Sequence, residues 1–370
     1  MKEQIKTIGM VIAGISILCA CTNEEDHNAE NEPVDLRIRT SVAATEVRSA
    51  VEGTSFATDS LIAVYANNTT TNSSTNNYAI YKNTSGGWAF NGTDKIKLSA
   101  EDATIFAHYP ADGGYVITHN AAVTASSTLT IGLFEGNTSE NDNNKIFVAS
   151  SNTKNINVAK GEVDFMYSAE EGGGHPTANN GKKSGGSATD HIVDLIMRHA
   201  MAMVSFRVYN DNTYTNTGSL TKIQLKNKDA NTMLNKGTGA TMQLGDGTIT
   251  VTGTAAAAFT RFIYTGTSSS STAGFTLEKF DNTDGAKDQT PAFSMLVYPE
   301  NTEDKSTINA IFTVDGTEYP VALPASGQAW AKGKNYIYTV KLNGKDLGVG
   351  NVSIVDWVAQ EISSELQPVK

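Results

Sequence analysis

The sequence predicts an all-β protein built from two tandem β-sandwich domains. Short apolar segments rich in Val, Ile, Phe and Tyr alternate with Gly, Asn, Thr and Ser, and this composition is typical of strands joined by turns. The apolar segments recur at intervals of roughly 8–15 residues, which favours sandwiches or barrels over βαβ units. The chain has 370 residues, a length that fits two such domains.

The N-terminus predicts a lipoprotein signal peptide at residues 1–20. A weakly basic start precedes the uncharged apolar run 7–18, which has the length of a signal-peptide core and is too short to span a bilayer. The run ends in Leu18-Cys19-Ala20-Cys21, which resembles a bacterial lipobox. We therefore expect cleavage before Cys21 and a palmitate-containing lipid on Cys21. The alternative is an uncleaved apolar N-terminus with incidental cysteines.

Residues 21–33 are predicted to form a flexible acidic tether, because they contain no large apolar side chain. Their acids Glu24, Glu25 and Asp26 resemble the surface-export signal of Bacteroidetes lipoproteins, and a plain solvated linker is compatible with the same residues. The formal net charge of −11 argues against a nucleic-acid partner and against close contact with an anionic lipid surface.

The first predicted strand covers residues 34–42, where apolar and charged side chains alternate as in a half-buried strand. A polar loop follows at residues 45–53. Further strands are predicted at residues 61–66, 78–81, 88–90, 103–109, 115–118, 146–149, 163–167, 220–225, 248–252, 259–264, 275–279, 292–298, 308–314, 318–323, 335–342 and 351–358.

The strongest apolar segment is residues 193–208. Its first half allows a helix through Met197, Met201 and Val204, whereas the alternation in its second half favours a strand. The domain boundary lies either in the Gly-rich stretch 172–187 or after this segment. We prefer the second position, which gives an N-terminal domain at residues 34–210 and a C-terminal domain at residues 211–370.

Seven short motifs in chain order carry a resemblance to a known family. They are residues 48–56 (RSAVEGTSF), 59–65 (DSLIAVY), 105–110 (IFAHYP), 163–168 (VDFMYS), 198–204 (RHAMAMV), 333–338 (GKNYIY) and 354–357 (IVDW). In this order, after a lipobox, the chain resembles the fimbrillin-like proteins of Bacteroidetes, the Mfa-like group of type V pilins. The resemblance covers most of the chain.

The resemblance implies sandwiches of transthyretin-like, Greek-key type, export as a lipoprotein and assembly at the outer membrane. In polymerising members an Arg-specific protease cuts after the first strand, and the bond between Arg48 and Ser49 matches that site. The groove left by the first strand then takes a strand from another subunit. The matching donor lies in residues 350–370, with four candidates for filling the groove: Val352, Ile354, Val358 and Ile362.

Signatures of enzymes and metal sites are missing from the sequence. The six histidines, which are His27, His108, His119, His175, His191 and His199, form no HxH or HExxH pattern. No cysteine lies beyond Cys21, which excludes a thiolate zinc site. Residues 281–285 resemble a calcium loop, but the glycine comes one place early and no glutamate follows at the twelfth position. We predict no enzyme activity, no cofactor and no metal.

We therefore predict a structural or adhesive subunit of a fimbria on the outer-membrane surface. Its expected partners are other fimbrial subunits, the outer membrane through the lipid on Cys21, and a host or bacterial surface receptor. One alternative is a monomeric, surface-anchored lipoprotein that binds a glycan or a host protein through its Asn/Thr/Ser-rich loops. A surface hydrolase on a β-sandwich scaffold is a further alternative.

Overall fold

A computed structural model describes most of the chain after the tether. The described residues are 32–42, 56–67, 77–92, 95–111, 123–134, 139–149, 155–228, 234, 240–252, 258–280, 290–300, 307–323, 329–344 and 347–356, with the backbone alone for residues 349–356.

The described residues form β-strands, turns and one 3-10 turn at Asp142–Asn144. The strands of the first half are β1 (Val34–Asp35), β2 (Arg37–Val42), β3 (Leu61–Asn67), β4 (Tyr78–Thr84), β5 (Gly87–Phe90), β6 (Lys97–Leu98), β7 (Ala103–Tyr109), β8 (Thr128–Ile131), β9 (Lys145–Val148), β10 (Ile156–Val158), β11 (Met166–Ser168), β12 (Thr177–Ala178) and β13 (Ile192–His199). Those of the second half are β14 (Ala202–Asn210), β15 (Ser219–Asn227), β16 (Ala240–Gln243), β17 (Ile249–Thr250), β18 (Phe259–Thr267), β19 (Ser270–Ala273), β20 (Phe275–Thr276), β21 (Ala292–Val297), β22 (Ile308–Val314), β23 (Thr317–Ala322), β24 (Lys334–Leu342) and β25 (Leu347–Asp356). The all-β prediction is confirmed.

The N-terminal part is an almost closed barrel. Its sheet has the order β2-β13-β11-β7-β3-β4-β5, with β12 added beside β7. The pairs are antiparallel except β2 and β13, which run parallel. The sheet curls until its two end strands meet, and there the indole N–H of Trp88 in β5 donates to Thr40 Oγ1 in β2 at 2.7 Å. The alternate side chains of the strands fill the interior with one apolar cluster.

The C-terminal part is a sandwich of two sheets. One has the order β10-β21-β14-β24-β25, and the other has the order β19-β18-β15-β22-β23 with β20 and β9 at its side. Their inner faces share one large apolar cluster. Phe206 meets Phe312 edge-on at 5.3 Å, and Phe275 meets Phe293 at 5.7 Å, so aromatic contacts tie the two sheets together.

A small three-stranded sheet, β17-β16-β8, lies between the barrel and the sandwich. Leu244, just after β16, is buried with Tyr65 of the barrel, and Met242 in β16 is buried with Met203 of the sandwich. The turn between β16 and β17 rests on the ring of Tyr167. A Cβ atom at Gly247 would lie 2.1 Å from that ring, and the φ of Gly247 is +70°, so this position requires glycine.

A buried ion pair connects several separate segments of the chain. Arg261 in β18 donates from Nε to Glu162 Oε1 at 2.7 Å, and both side chains are fully buried. The backbone N–H of Leu296 in β21 donates to Glu162 Oε2 at 3.2 Å. The guanidinium also donates to the backbone oxygen of Phe134 at 2.7 Å and lies 4.7 Å from the centre of its ring. Four segments of the chain therefore meet at one charged contact.

The apolar segment 193–208 is two strands rather than one element. β13 belongs to the barrel and β14 to the sandwich, with the buried pair Ala200 and Met201 between them. The helical interpretation of its first half is wrong, because β13 pairs with β2 and β11. β14, β9 and β10 all pair with strands of the second half of the chain. The division into residues 34–210 and 211–370 stays a prediction. The predicted strand 163–167 starts later, at Met166, and the predicted strand 115–118 lies outside the described residues.

Asp315 organises the turn between β22 and β23. Its carboxylate accepts from the backbone N–H groups of Gly218 at 2.8 Å and Ser219 at 2.9 Å, and from the hydroxyl of Tyr214 at 3.0 Å. Desolvation at the turn raises the pKa of Asp315, but these hydrogen bonds outweigh it and the pKa is lowered.

We expect Asp315→Ala to lower the free energy of unfolding by about 1–2 kcal/mol at pH 7, because two backbone donors lose a charged acceptor. A depressed carboxyl pKa stabilises the fold above the unfolded value of about 3.9, and this stabilisation is lost as the pH falls through the folded pKa. Urea denaturation at pH 7 and pH 3 should therefore show a smaller difference between variant and parent at pH 3. Asp194→Ala is the control, since among the described residues its carboxylate bonds the exposed Arg39. Equal losses at both pH values would contradict the prediction.

Candidate assembly site

The candidate site is the place that β2 occupies in the barrel wall. β2 lies at the end of the barrel sheet, and among the described strands its ladder partner is β13, over Arg37–Val42 and Ile192–Met197. Its alternation puts Leu36, Ile38 and Val42 into the core, where each is less than 9% exposed. Arg37 and Arg39 point to solvent. The predicted half-buried strand is confirmed over Arg37–Val42, whereas Val34–Asp35 form the separate strand β1, which pairs with β6.

Polar contacts hold the beginning of this segment. Asp35 in β1 pairs with Lys95 at 2.7 Å, and also with Lys97. Hydrogen bonds from Lys95 and then Lys97 lower the pKa of Asp35. Deeper in the barrel, the buried hydroxyl of Tyr81 donates to the backbone oxygen of Leu36 at 2.8 Å. Any strand in this position can accept the Tyr81 bond, whereas the two lysines select an acidic side chain.

Two side-chain contacts hold the second half of β2. Arg39 forms a two-bond pair with Asp194 in β13, with distances of 2.6 Å from Nε and 2.8 Å from Nη2. These side chains are 67% and 69% exposed, so the pair contributes little, on the order of 0–1 kcal/mol. The second contact is the hydrogen bond from Trp88 to Thr40. It is partly buried, and it lies within the barrel wall rather than on the solvent side.

The chain from Phe56 onward is anchored without β2. The side chain of Asn83 in β4 donates to the backbone oxygens of Phe56 at 2.7 Å and Ala57 at 3.0 Å. The ring of Phe56 lies 5.5 Å from that of Trp88 and 5.1 Å from that of Tyr109. The described groups that line the place of β2 belong to residues after position 55, so a cut between residues 43 and 55 leaves them on the same chain.

The predicted donor segment begins in β25, at the edge of the five-stranded sheet. β25 pairs antiparallel with β24, and Val352 and Ile354 stand opposite Tyr338 and Tyr336 in the ladder. The register is interrupted, because Val349 pairs with Val340 and two residues of β25 face one of β24 at that point. Val358 and Ile362 lie outside the described residues, as do Cys21, Arg48 and Ser49.

Other chemistry is limited in the part of the chain that the structure describes. No group of three or more His, Cys, Asp or Glu side chains there is arranged to hold a metal ion. The described residues also contain no helix with the length and hydropathy needed to cross a membrane. His108 is buried with Nε2 3.1 Å from the hydroxyl of Tyr65, and His199 is buried with Nδ1 2.8 Å from Asp164 Oδ2.

The role of Trp88 was not predicted from the sequence. Its one available signal was Thr40, a hydroxyl residue in the inward series of an otherwise apolar strand, since a half-buried hydroxyl needs a partner. The partner is 48 residues away, and periodicity along the chain does not identify it.

Comparison with solved structures shows shared folds at low sequence identity. A candidate cell adhesion protein of Bacteroides uniformis matches with a TM-score of 0.52 and 15% identity, over 89% of this chain and 100% of that chain. Another from Bacteroides ovatus matches with a TM-score of 0.53 and 14% identity, over 90% and 99%. A fimbrial protein of Bacteroides vulgatus has a TM-score of 0.48 and 13% identity, over 89% and 100%. No curated protein matches the chain.

A comparison with family models gives one match. The fimbrillin-like model covers residues 48–357, which include the barrel from β3 onward and the whole sandwich up to the end of β25. This range starts at the predicted cleavage residue Arg48. The family comprises fimbrial and adhesion proteins rather than enzymes, which agrees with the sequence prediction. The chain belongs to the fimbrillin-like family.

Proposed function

We propose that the protein is a structural or adhesive subunit of a cell-surface fimbria. It is delivered to the outer membrane as a lipoprotein through Cys21, and cleavage after Arg48 then releases β2 and opens the groove to a strand of another subunit. Membership in the fimbrillin-like family supports the fimbrial role. Two proteins of similar fold described as candidate cell adhesion proteins agree with it.

The position of β2 carries the assembly step. The strand and Leu36, the residue before it, contribute three buried apolar side chains to the barrel core, and the strand is held by a ladder to β13. Burial of each such side chain stabilises the fold by about 1.5–3 kcal/mol, so the open groove would be several kcal/mol less stable than the filled one. It would also present the unpaired backbone of β13, which favours addition of a strand. Loss of β2 therefore supplies the drive for assembly.

The test is Arg48→Ala in cells that make and process the protein. We expect the parent to form SDS-resistant ladders and to begin at Ser49 after assembly. The Arg48→Ala variant should remain a single band that keeps Cys21. Arg37→Ala is the matched control, since it removes an exposed arginine of β2 without touching the loop, and it should form ladders.

Ladders from the Arg48→Ala variant, or a parent that is cut after Arg48 and stays monomeric, would contradict the proposal. A stable uncut monomer on the cell surface would favour the alternative of a permanently anchored binding protein.

A further inference from the structure

We propose that residues 351–358 of one subunit enter the groove of another in the register of residues 35–42, and that Trp88 reads this register by donating to Asp356. The proposal rests on the proposed function, since it requires that β2 leaves. It goes further by naming the residues that meet and the one that sets the alignment.

The groove has four inward positions with a defined order of chemistry. Leu36, Ile38 and Val42 are buried apolar side chains. Between them Thr40 is half-buried and accepts the indole N–H of Trp88 at 2.7 Å. The groove therefore accepts apolar, apolar, hydrogen-bond acceptor and apolar side chains in that order. An apolar residue at the third position would leave the Trp88 donor without a partner, which is unfavourable in a partly buried site.

The same order occurs in the C-terminal segment. Val352, Ile354, Asp356 and Val358 have the spacing of the inward residues Leu36, Ile38, Thr40 and Val42, with a carboxylate in the place of the threonine hydroxyl. Asp356 breaks the apolar alternation that a donor strand would otherwise have. Opposite Trp88, Asp356 would provide the hydrogen-bond acceptor that the indole N–H needs, because a carboxylate is a strong acceptor for an N–H donor.

Other alignments that keep the same face inward fail. A shift of two residues in one direction would put Asp356 in the place of Ile38, and a shift in the other direction would put it in the place of Val42. Both places are buried and apolar, and a carboxylate there would lose its hydration without compensation. Either shift would also put an apolar side chain against the indole N–H of Trp88. Of these three alignments, only the proposed one fits.

The donor segment has a place at which it can leave its own sheet. The ladder between β24 and β25 is interrupted between Val349 and Val352, so Gly350 and Asn351 separate two regular stretches. The stretch from Val352 onward can exchange β24 for the β13 of another subunit while Leu347–Val349 stays paired. Backbone hydrogen bonds lost on one ladder are regained on the other, and the filling of the open groove favours the exchange.

The outward positions explain why β2 must first be cut. In this alignment Asn351 takes the place of Asp35 beside Lys95 and Lys97, and Val355 takes the place of Arg39 beside Asp194. The donor thus forgoes the ion pairs that β2 makes. β2 is also attached to its own barrel, so it holds the groove against the donor until cleavage.

The test uses the full mature chain with a site for a sequence-specific protease placed in residues 44–50. After cutting, labelled peptides of residues 350–364 are titrated against the protein, and binding is followed by fluorescence anisotropy. We expect D356T, which copies Thr40, to bind within about threefold of the parent peptide, and D356L to bind about tenfold more weakly, since it lacks one hydrogen bond. I354D should not bind measurably. I362D should bind like the parent, because Ile362 would lie beyond the last residue of β2.

The protein variant W88F isolates the contact. For the W88F protein, the affinities of the parent and D356L peptides should differ by less than about twofold, as expected when a pairwise contact is removed. Its melting temperature, measured before cutting, shows whether the barrel is intact.

The outcomes separate the two proposals. A peptide copy of residues 32–43 is the reference for an open groove. The proposed register fails if this peptide binds and the parent 350–364 peptide does not. It also fails if D356L binds as well as the parent peptide to both proteins. In both cases the proposal of an open groove stands. If neither peptide binds, the proposed function itself fails.

Discussion

Glu162→Ala alone is expected to lower the free energy of unfolding by about 3–5 kcal/mol, one of the two largest effects that we predict. The change leaves the guanidinium of Arg261 buried without its carboxylate, and it removes the acceptor of the Leu296 N–H. Burial raises the pKa of Glu162, and the charge of Arg261 opposes that rise, so the two groups depend on each other. Urea denaturation of the parent and the variant at pH 7 measures the loss.

The matched control replaces both charges, as Glu162→Leu with Arg261→Met. Apolar residues of similar volume avoid the cost of an unpaired buried charge, so the double variant should be more stable than the single one. The result would contradict the prediction if the single variant lost less than about 1.5 kcal/mol, or if the double variant were the less stable of the two.

The second large effect is a loss of stability in acid that originates at His108. Burial lowers the pKa of this side chain to about 4, compared with an ordinary value near 6.5. The unfolded chain therefore binds a proton near pH 6.5, while the folded chain does not. The contribution of His108 to the free energy of unfolding is fully present above that pH and is lost as the pH drops towards 4. The interval corresponds to about 3 kcal/mol, at about 1.4 kcal/mol for each pKa unit.

The measurement is the free energy of unfolding from urea curves at pH 7, 5.5 and 4. His108→Gln keeps a polar side chain near the hydroxyl of Tyr65 but does not titrate, so its stability should fall less between pH 7 and pH 4 than that of the parent. His191→Gln changes a partly exposed histidine and should follow the parent. Parallel curves for the parent and His108→Gln would contradict the assignment.

Features with a local signal could be predicted from the sequence. The alternation in residues 34–42 is visible because one face is buried and the other is solvated, and the structure confirms it in β2. The segment 193–208 was harder, because Ala200 and Met201 join two strands without Gly or Pro and are themselves buried. An apolar turn leaves no break in composition, so the sequence pattern does not reveal that the chain passes from one sheet to another at this point.

Features that depend on distant contacts could not be predicted in this way. Arg261 lies in a strand of mixed apolar and polar residues, and its partner Glu162 is 99 residues earlier. β9 and β10 are short segments of ordinary composition, and their parallel partners β18 and β21 lie more than a hundred residues further along. The groove also depends on a distant contact, because Trp88 and Thr40 meet only when the barrel curls and brings its end strands together.

The parallel ladder between β2 and β13 has a mechanical consequence for the proposed polymer. A donor strand in the place of β2 would lie along β13 over six residues. Where tension pulls this strand along its own length, the ladder bears the load in shear and its hydrogen bonds have to break together. A strand pulled sideways would instead open one bond at a time. In that geometry, the direction of this one strand would raise the force needed to separate two subunits.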